Sequence, residues 1–348
     1  MMNQDELYIQ RCFDLARLGA GNVSPNPMVG AVLVYENHII GEGFHQKYGE
    51  AHAEVNAVNS VKPADRALIE QSTLYVSLEP CCIYGRTPPC TNLIIKHKIP
   101  KVIISCLDQT PGVAGQGVQL LRNHGVEVIT GILEAQGQEL VRFRNHFVTR
   151  NRPYVVLKFA QTLDGFMGLP DEQIWISNEF SKRLVHKWRS EVDAILIGTK
   201  TALIDNPQLN NRLYFGKSPL RIVLDRNLIL PQHLHIFDQN QPTLIVTENS
   251  SLKPASSLPY LELNFEDDFL NQLLKHLHQQ KITTLLVEGG SKILQSFIEQ
   301  DLWDEAYVFI GNKTIVKGIP APTLPGPVIA RFSLGSDQMI RYQNVHIR

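Results

Sequence analysis

Three short segments in the first half of the chain carry side chains that bind soft metal ions and move protons. They are Ala51-His52-Ala53-Glu54, Glu79-Pro80-Cys81 and Gly85-Arg86-Thr87-Pro88-Pro89-Cys90. One imidazole (His52) and two thiolates (Cys81, Cys90) give a tetrahedral zinc three protein ligands and one open position. That is the arrangement of a catalytic site; a structural site fills all four. A metal so held lowers the pKa of a water in the open position toward about 7. Glu54 stands two residues beyond His52, and on a helix i and i+2 do not share a face. It is therefore read as the group that takes the proton of that water and passes it on. Cys81 is expected close to a helix N-terminus, where the dipole favours thiolate. Cys12, Cys82 and Cys106 are assigned to packing, with Cys82 a stray alternative ligand through its position beside Cys81.

For these residues to converge, the elements around them must alternate. Apolar spacing predicts a helix over 5–20, and a Pro/Asn loop at Asn22–Pro27 leads into a hairpin of Val29–Tyr35 and Ile39–Phe44. His52–Ser60 reads as a helix, Thr73–Ser77 as a buried strand and Thr91–Lys98 as a helix. Val102–Cys106 and Val126–Thr130 read as strands, Gly117–His124 and Glu134–Phe143 as helices. Strands alternating with helices predict a three-layer α/β/α domain. The polar, basic stretch Arg144–Pro153 reads as a linker, giving domains of 1–146 and 147–348.

A second α/β pattern follows. Its strands are expected at Tyr154–Phe159, Ala194–Ile197, Arg221–Leu224, Thr243–Val246, Thr284–Val287 and Ala306–Ile310. Its helices are expected at Glu179–Arg189, Phe269–Gln280 and Lys292–Gln300. The 348 residues suit two domains. The formal net charge of −1 provides no global field for a nucleic-acid backbone. No run approaches the roughly 20 apolar residues of a membrane helix, and the N-terminus lacks a basic start followed by an apolar run. An odd count of five cysteines argues against a disulfide framework and for a reducing, cytoplasmic setting.

The pairing of His-x-Glu with Pro-Cys is the signature of zinc nucleobase deaminases, which have Cys-x-x-Cys where eight residues separate Cys81 from Cys90 here. Around it stand Asn22–Gly30, Gly43-Phe44-His45, Leu78-Glu79-Pro80-Cys81 through Cys90, and Asp108 with Val113-Ala114-Gly115. The second half adds Leu157-Lys158, Thr162-Leu163-Asp164-Gly165, Trp175-Ile176-Ser177, Thr201 with Asp205-Asn206-Pro207, and Val287-Glu288-Gly289-Gly290-Ser291. Together, over nearly the whole chain, these resemble the bifunctional riboflavin-biosynthesis deaminase–reductases.

The resemblance implies a cytidine-deaminase-like domain followed by a dihydrofolate-reductase-like α/β domain. It implies hydrolysis of the 2-amino group of 2,5-diamino-6-(5-phosphoribosylamino)pyrimidin-4(3H)-one, then reduction of the ribosyl chain to ribityl with NADPH. Zinc would fall on His52, Cys81 and Cys90, and the proton shuttle on Glu54. Asn26, His45, Arg86 and Asp108 would line the first substrate pocket, with Arg86 forking onto the phosphate. Ala160, Trp175, Thr201 and Asp205 would face the nicotinamide cofactor, whose phosphate would meet Gly290 and Ser291 at a helix start. Arg189, Leu209, Arg212 and Glu288 would hold the second pyrimidine. The partners implied are small phosphoribosyl pyrimidines, with no nucleic acid and no membrane; a homo-oligomer is compatible with the sequence. The chain departs from the common pattern at Ile83 (His), Phe166 (Lys or Arg), Asn178 (Ser) and Asn210 (Thr). Two other readings compete. A nucleoside or RNA-base deaminase fused to a non-catalytic binding domain would need a basic, aromatic-studded groove. A metal-stabilised binding module would need a fourth protein ligand.

Overall fold

The computed structural model describes residues 2–249, 251, 258–266 and 268–345. The chain divides into two compact units, Met1–Asn151 and Arg152–Arg348.

Unit 1 begins with α1 (Gln4–Arg17), whose N-terminus is closed by Asn3 and Glu6 bonding reciprocally to each other's backbone N–H. The hairpin β1 (Gly30–Tyr35) and β2 (His38–Phe44) follows, then α2 (Ala53–Ser60), a 3-10 helix at Pro63–Gln71 and β3 (Thr73–Leu78). The remainder is α3 (Cys90–Lys96), β4 (Lys101–Cys106), α4 (Gln116–Asn123), β5 (Glu127–Thr130), α5 (Glu134–Leu140) and α6 (Arg142–Arg150). The sheet runs β2-β1-β3-β4-β5, antiparallel on either side of β1 and parallel from β3 to β5. Alternation along the strands sorts the core into two faces. Ala31, Leu33, Leu74, Val76, Val102 and Ile104 pack with residues of α2, α3 and α4. Val32, Val34, Tyr75 and Ile103 pack with α1 and Leu140. These are the three layers that the sequence predicts.

The expected linker is the main departure in this unit. Arg144–Pro153 is helical through Arg150, and the reason is packing: within the basic run, Asn145, His146 and Phe147 are buried. Val141, with φ of −101° and ψ of 11°, separates α5 from α6. The chain turns only at Asn151, in the left-handed region. The division between units therefore follows Asn151 rather than residue 146.

Two glycines let α2 lie directly on β2. A Cβ on Gly43 would sit on the Ala57 nitrogen and 2.5 Å from the Ala53 carbonyl oxygen; one on Gly41 would meet the Ala57 carbonyl oxygen. All of these are backbone atoms, which do not swing aside. Gly43→Ala is expected to cost about 3 kcal/mol. Because α2 carries Glu54 and is preceded by His52, it should also lower retained zinc. Denaturant unfolding with metal analysis of the same sample checks both.

Unit 2 comprises β6 (Tyr154–Gln161), β7 (Phe166–Gly168), α7 (Glu179–Glu191), β8 (Ala194–Gly198), α8 (Thr199–Asp205), β9 (Leu220–Leu224) and β10 (Thr243–Thr247). It continues with β11 (Tyr260–Glu262), α9 (Phe269–Gln279), β12 (Thr284–Val287), α10 (Ser291–Glu299), β13 (Glu305–Ile310), β14 (Ile319–Pro320), β15 (Val328–Leu334) and β16 (Asp337–Gln343). Nine strands order as β11-β10-β9-β8-β12-β6-β13-β16-β15, parallel from β11 to β13 and closed by an antiparallel hairpin. Every strand and helix expected from the sequence here is present. The elements α8, β7, β11, β14 and the β15–β16 hairpin are additional. One core joins β6, β8, β9 and β12 to α9 and α10; Val185 of α7 packs with Phe309 and Met339. Asn178, a departure from the family pattern, caps α7 by accepting the Phe180 and Ser181 N–H groups and donates to the Leu334 carbonyl. Among the described residues no helix is long and apolar enough to cross a membrane.

Candidate functional sites

In unit 1 the reacting groups gather where the parallel strands β3 and β4 end, the usual ligand position of α/β sheets. His52 is the N-cap of α2 with extended backbone, and its imidazole makes no capping bond, so the ring is free to point elsewhere. Cys81 follows β3, and Cys90 is the first residue of α3. The Cys90 backbone N–H donates to Cys81 Sγ at 3.3 Å, and both sulfurs lie against His52 Nδ1, at 3.5 and 3.4 Å. The loop between the cysteines is tied down by the Thr91 N–H and hydroxyl, both donating to the Cys81 carbonyl. The ligand atoms of His52, Cys81 and Cys90 all lie within 4.8 Å of one another.

One nitrogen and two sulfurs at that spacing fit a zinc ion with one position left over. His52 presents Nδ1 to the sulfurs and turns Nε2 toward Thr87 Oγ1 at 3.5 Å, a partner that can hold the ring's orientation. The Cys90 thiol and the His52 imidazole hold Cys81 down at about 4 against the opposing effect of burial. Cys81, then burial and the Glu54 charge, push Cys90 up. Two thiols beside an imidazole, one of them favoured as thiolate, suit a divalent cation that displaces their protons. Glu54 is buried against this cluster, and burial first, then Cys81, raises its pKa. Cys82 does not join: it is half-buried, with its thiol directed at the Gly112 carbonyl, which corrects its expected place in the packed interior. Cys12 and Cys106 are in the core as expected.

The other expected residues of this unit surround the cluster. His45 is buried, its ring 5.2 Å edge-on from that of His52. The Asn26 amide nitrogen donates to His45 Nε2 at 3.1 Å, which leaves Nδ1–H to donate to the Ala51 carbonyl at 3.0 Å. Burial pushes His45 down, keeping it neutral. Arg86 is exposed, with its guanidinium 4.6 Å from the centre of the Tyr48 ring. Asp108 accepts the Thr110 N–H at 2.7 Å. Glu79 sits inside a sequence motif that does not disclose its role. Its buried carboxylate accepts the backbone N–H groups of Asp108, Gly115 and Val118, fastening the loop after β4 beside Pro80-Cys81.

In unit 2 a charged cluster forms over β12 and β6. Arg189 donates to both Glu288 carboxylate oxygens at 2.8 Å, and Lys158 Nζ lies 3.7 Å from the same carboxylate. Burial would raise Glu288, but the charges of Arg189 and Lys158 overcome it and hold it at about 2. Burial pushes Lys158 down, with Glu288 opposing. Asp205, raised by burial, feels the Lys158 charge. Lys158 has no assigned role on sequence grounds; its polar side chain inside the apolar β6 pattern is the available signal. Arg212 bonds through Nη1 to Asn210 Oδ1, and its N–H donates to His186 Nδ1. Leu209 has a buried side chain and positive φ, so only its backbone can meet a ligand. Thr201 packs on the Gly-Gly turn: a Cβ on Gly289 would come within 2.9 Å of Thr201 Cγ2. Gly290, with φ of 78°, leads into α10, whose first turn from Ser291 has no side-chain cap and so keeps N–H groups for an anion. Trp175 is 57% exposed, with Lys182 Nζ 4.8 Å from its ring centre. Ala160 is half-buried on β6 beside Phe309 of β13.

Comparison with known proteins covers both units. Residues 2–106 match the cytidine and deoxycytidylate deaminase zinc-binding region, and residues 153–328 match the RibD C-terminal domain. The riboflavin biosynthesis protein RibD of Aquifex aeolicus is 38% identical over 90% of this chain and 89% of its own. That of Bacillus amyloliquefaciens is 37% identical over 92% and 87%. The crystal structure of a diaminohydroxyphosphoribosylaminopyrimidine deaminase/5-amino-6-(5-phosphoribosylamino)uracil reductase from Thermotoga maritima superimposes with a TM-score of 0.89 at 35% identity over 98% of each chain. Acinetobacter baumannii RibD gives 0.88 at 32% identity, again over 98% of each.

Proposed function

The chain belongs to the RibD family of riboflavin-biosynthesis deaminase–reductases, and from that premise we propose which of its residues carry each reaction and on which substrates. It is a bifunctional enzyme, a zinc-dependent deaminase joined to an NADPH-dependent reductase. The first substrate is 2,5-diamino-6-(5-phosphoribosylamino)pyrimidin-4(3H)-one, and the second is the 5-amino-6-(5-phosphoribosylamino)uracil made from it.

In unit 1, His52 Nδ1, Cys81 Sγ and Cys90 Sγ hold the zinc, which when bound supplies an activated water. Glu54 carries the two protons of that water in turn, the first to the ring nitrogen and the second to the amino group, which then leaves as ammonia. Its burial favours the protonated form it must pass through. Asn26 reads the pyrimidine with its amide oxygen and its second N–H, the first being donated to His45; His45 is thus a positioning residue. Asp108 and Arg86 complete the pocket.

In unit 2, NADPH when bound supplies a hydride to the ribosyl C1′. Ser291 and the Gly290 turn receive its phosphate, and Ala160, Trp175, Thr201 and Asp205 shape its nicotinamide end. Arg189, Leu209 (through its backbone), Arg212 and Glu288 seat the pyrimidine. Lys158, a buried ammonium with a depressed pKa, is the group we assign to protonating the ribose ring oxygen as that ring opens.

The single observation that carries the deaminase reading is the convergence of three ligand atoms with Glu54 buried beside them. Among the described residues no fourth ligand joins the group, which disfavours the binding-module reading. A net charge of −1 favours small-molecule partners over nucleic acid, and five unpaired cysteines fit a reducing cytoplasm. The test is incubation of zinc-loaded protein with the diaminopyrimidine ribotide, followed by mass analysis. An amino-to-oxo exchange is expected alone, with the further gain of a hydride and a proton when NADPH is present. An unchanged mass without NADPH would remove the deaminase assignment.

A further inference from the structure

The basic run that opens α6 contains two arginines in different circumstances. Arg142 turns Nη1 to Glu139, donating to the carbonyl at 3.0 Å and lying 3.5 Å from the carboxylate, and it stacks on Phe143. Arg144 is half-buried, and its guanidinium makes a single hydrogen bond: Nη2 donates to Thr110 Oγ1 at 3.3 Å. Its Nε is buried with no hydrogen-bond partner, and among the described residues no carboxylate stands at ion-pair distance. An arginine stays protonated at any physiological pH, so this is a partly desolvated cation whose nearby carboxylate, Asp108, acts on it from beyond ion-pair distance, an arrangement that costs free energy unless something completes it.

Its surroundings indicate what that is. Thr110 belongs to the loop that Asp108 organises and that Glu79 fastens beside Cys81. The groups that act electrostatically on Arg144 are Asp108 and the Tyr48 phenol. Tyr48 is also the ring on which Arg86 lies, with Arg86 Nη1 held close over Gly49, where a Cβ would come within 3.2 Å. Arg86, on the Cys81–Cys90 loop, thus lies on the ring whose phenol also acts electrostatically on Arg144 of α6. The geometry points to Arg144 as the second arm of a two-arginine clamp on the phosphate of the deaminase substrate, with Arg86 the first. Paired forks on a dianion supply charge-assisted bonds that lysines would not reproduce. This inference rests on the deaminase reading above and adds a specificity-determining residue to it.

The test compares the phosphorylated pyrimidine with its dephosphorylated ribosylamino counterpart. Arg144→Ala should raise KM for the phosphorylated substrate about 10- to 100-fold with kcat little altered, and should leave KM for the dephosphorylated one where it is in the wild type. Calorimetry with ribose 5-phosphate should show binding to the wild-type chain that weakens in Arg144→Ala and again in Arg86→Ala. Arg144→Lys, which keeps the charge and loses the fork, carries the comparison if the alanine variant does not fold, and should fall between the two. Equal KM changes for both substrates, or ribose 5-phosphate binding indifferent to position 144, would overturn the clamp. Ribose 5-phosphate binding that depends on Arg144 in a protein that deaminates no pyrimidine ribotide would sink the deaminase reading while upholding the clamp.

Discussion

Glu54→Gln should leave one zinc bound per chain while ammonia release falls on the order of 10²–10⁴-fold. Glutamine nearly matches glutamate in shape, so the buried position beside Cys90 and His52 stays filled. What disappears is the capacity to accept a proton at one moment and deliver it at another. The two halves of the prediction separate the roles open to this residue. A ligand lost from the metal shell would take zinc with it, whereas a proton carrier lost from beside the shell would not. Metal analysis and an ammonia assay on one preparation decide between them, and zinc loss in parallel with activity would make Glu54 a ligand. Reduction of supplied 5-amino-6-(5-phosphoribosylamino)uracil by the same variant should persist, because that chemistry resides in the other unit.

The second large effect belongs to Glu288. Its carboxylate balances Arg189 and Lys158, side chains that are only 12% and 16% exposed. Glu288→Gln strands both cations, and breaking a buried pair in this way costs about 3–5 kcal/mol. It should also abolish reduction, since the substituted site no longer fixes the Arg189 fork. The pH dependence has a definite sign. Glu288 titrates at about 2 in the folded chain against an ordinary value of 4.5. Its contribution to stability is therefore complete above pH 4.5 and drains away as the pH falls from there toward 2. The wild type should lose stability across that window more steeply than Glu288→Gln. Urea unfolding at a series of pH values measures the slopes, and equal slopes would mean that the carboxylate is not held ionised by its two cations.

How much of this is legible in the residues depends on what each signal competes with. His52, Cys81 and Cys90 are uncommon types with few bland uses in combination, and they fall at element boundaries where side chains are free to converge. They come together although Cys81 and Cys90 are farther apart in sequence than the usual Cys-x-x-Cys, because Cys90 opens α3 and turns its backbone N–H and its sulfur back toward Cys81. The strands of both sheets are legible because short alternating or continuous apolar runs bounded by turn residues bury their side chains best in a pleated sheet. Helix α6 reads as linker since its polar and charged residues outnumber the apolar ones, yet buried Asn145 and His146 pack there beside Phe147. The β15–β16 hairpin leaves no clear trace because β15 is largely exposed and lacks an inward-facing pattern. Helix α8 buries only Ala202, too little to imprint a period. Glu79 and Lys158 stay without a role in the sequence for a related reason. A charged residue's importance lies in what surrounds it, and burial among backbone N–H groups or beside a carboxylate is a property of the folded chain.

The claim on which the rest depends is that one nitrogen and two sulfurs of unit 1 hold a zinc with room for a water. X-ray absorption at the zinc edge of the purified chain measures that shell directly. We expect one zinc per chain with two sulfur scatterers near about 2.3 Å and two lighter scatterers near about 2.0–2.1 Å, one of them from a non-protein oxygen. Cys81→Ser should remove one sulfur from the shell. A shell of three or four sulfurs, or a zinc that survives intact when Cys81 and Cys90 are both replaced, would contradict that claim.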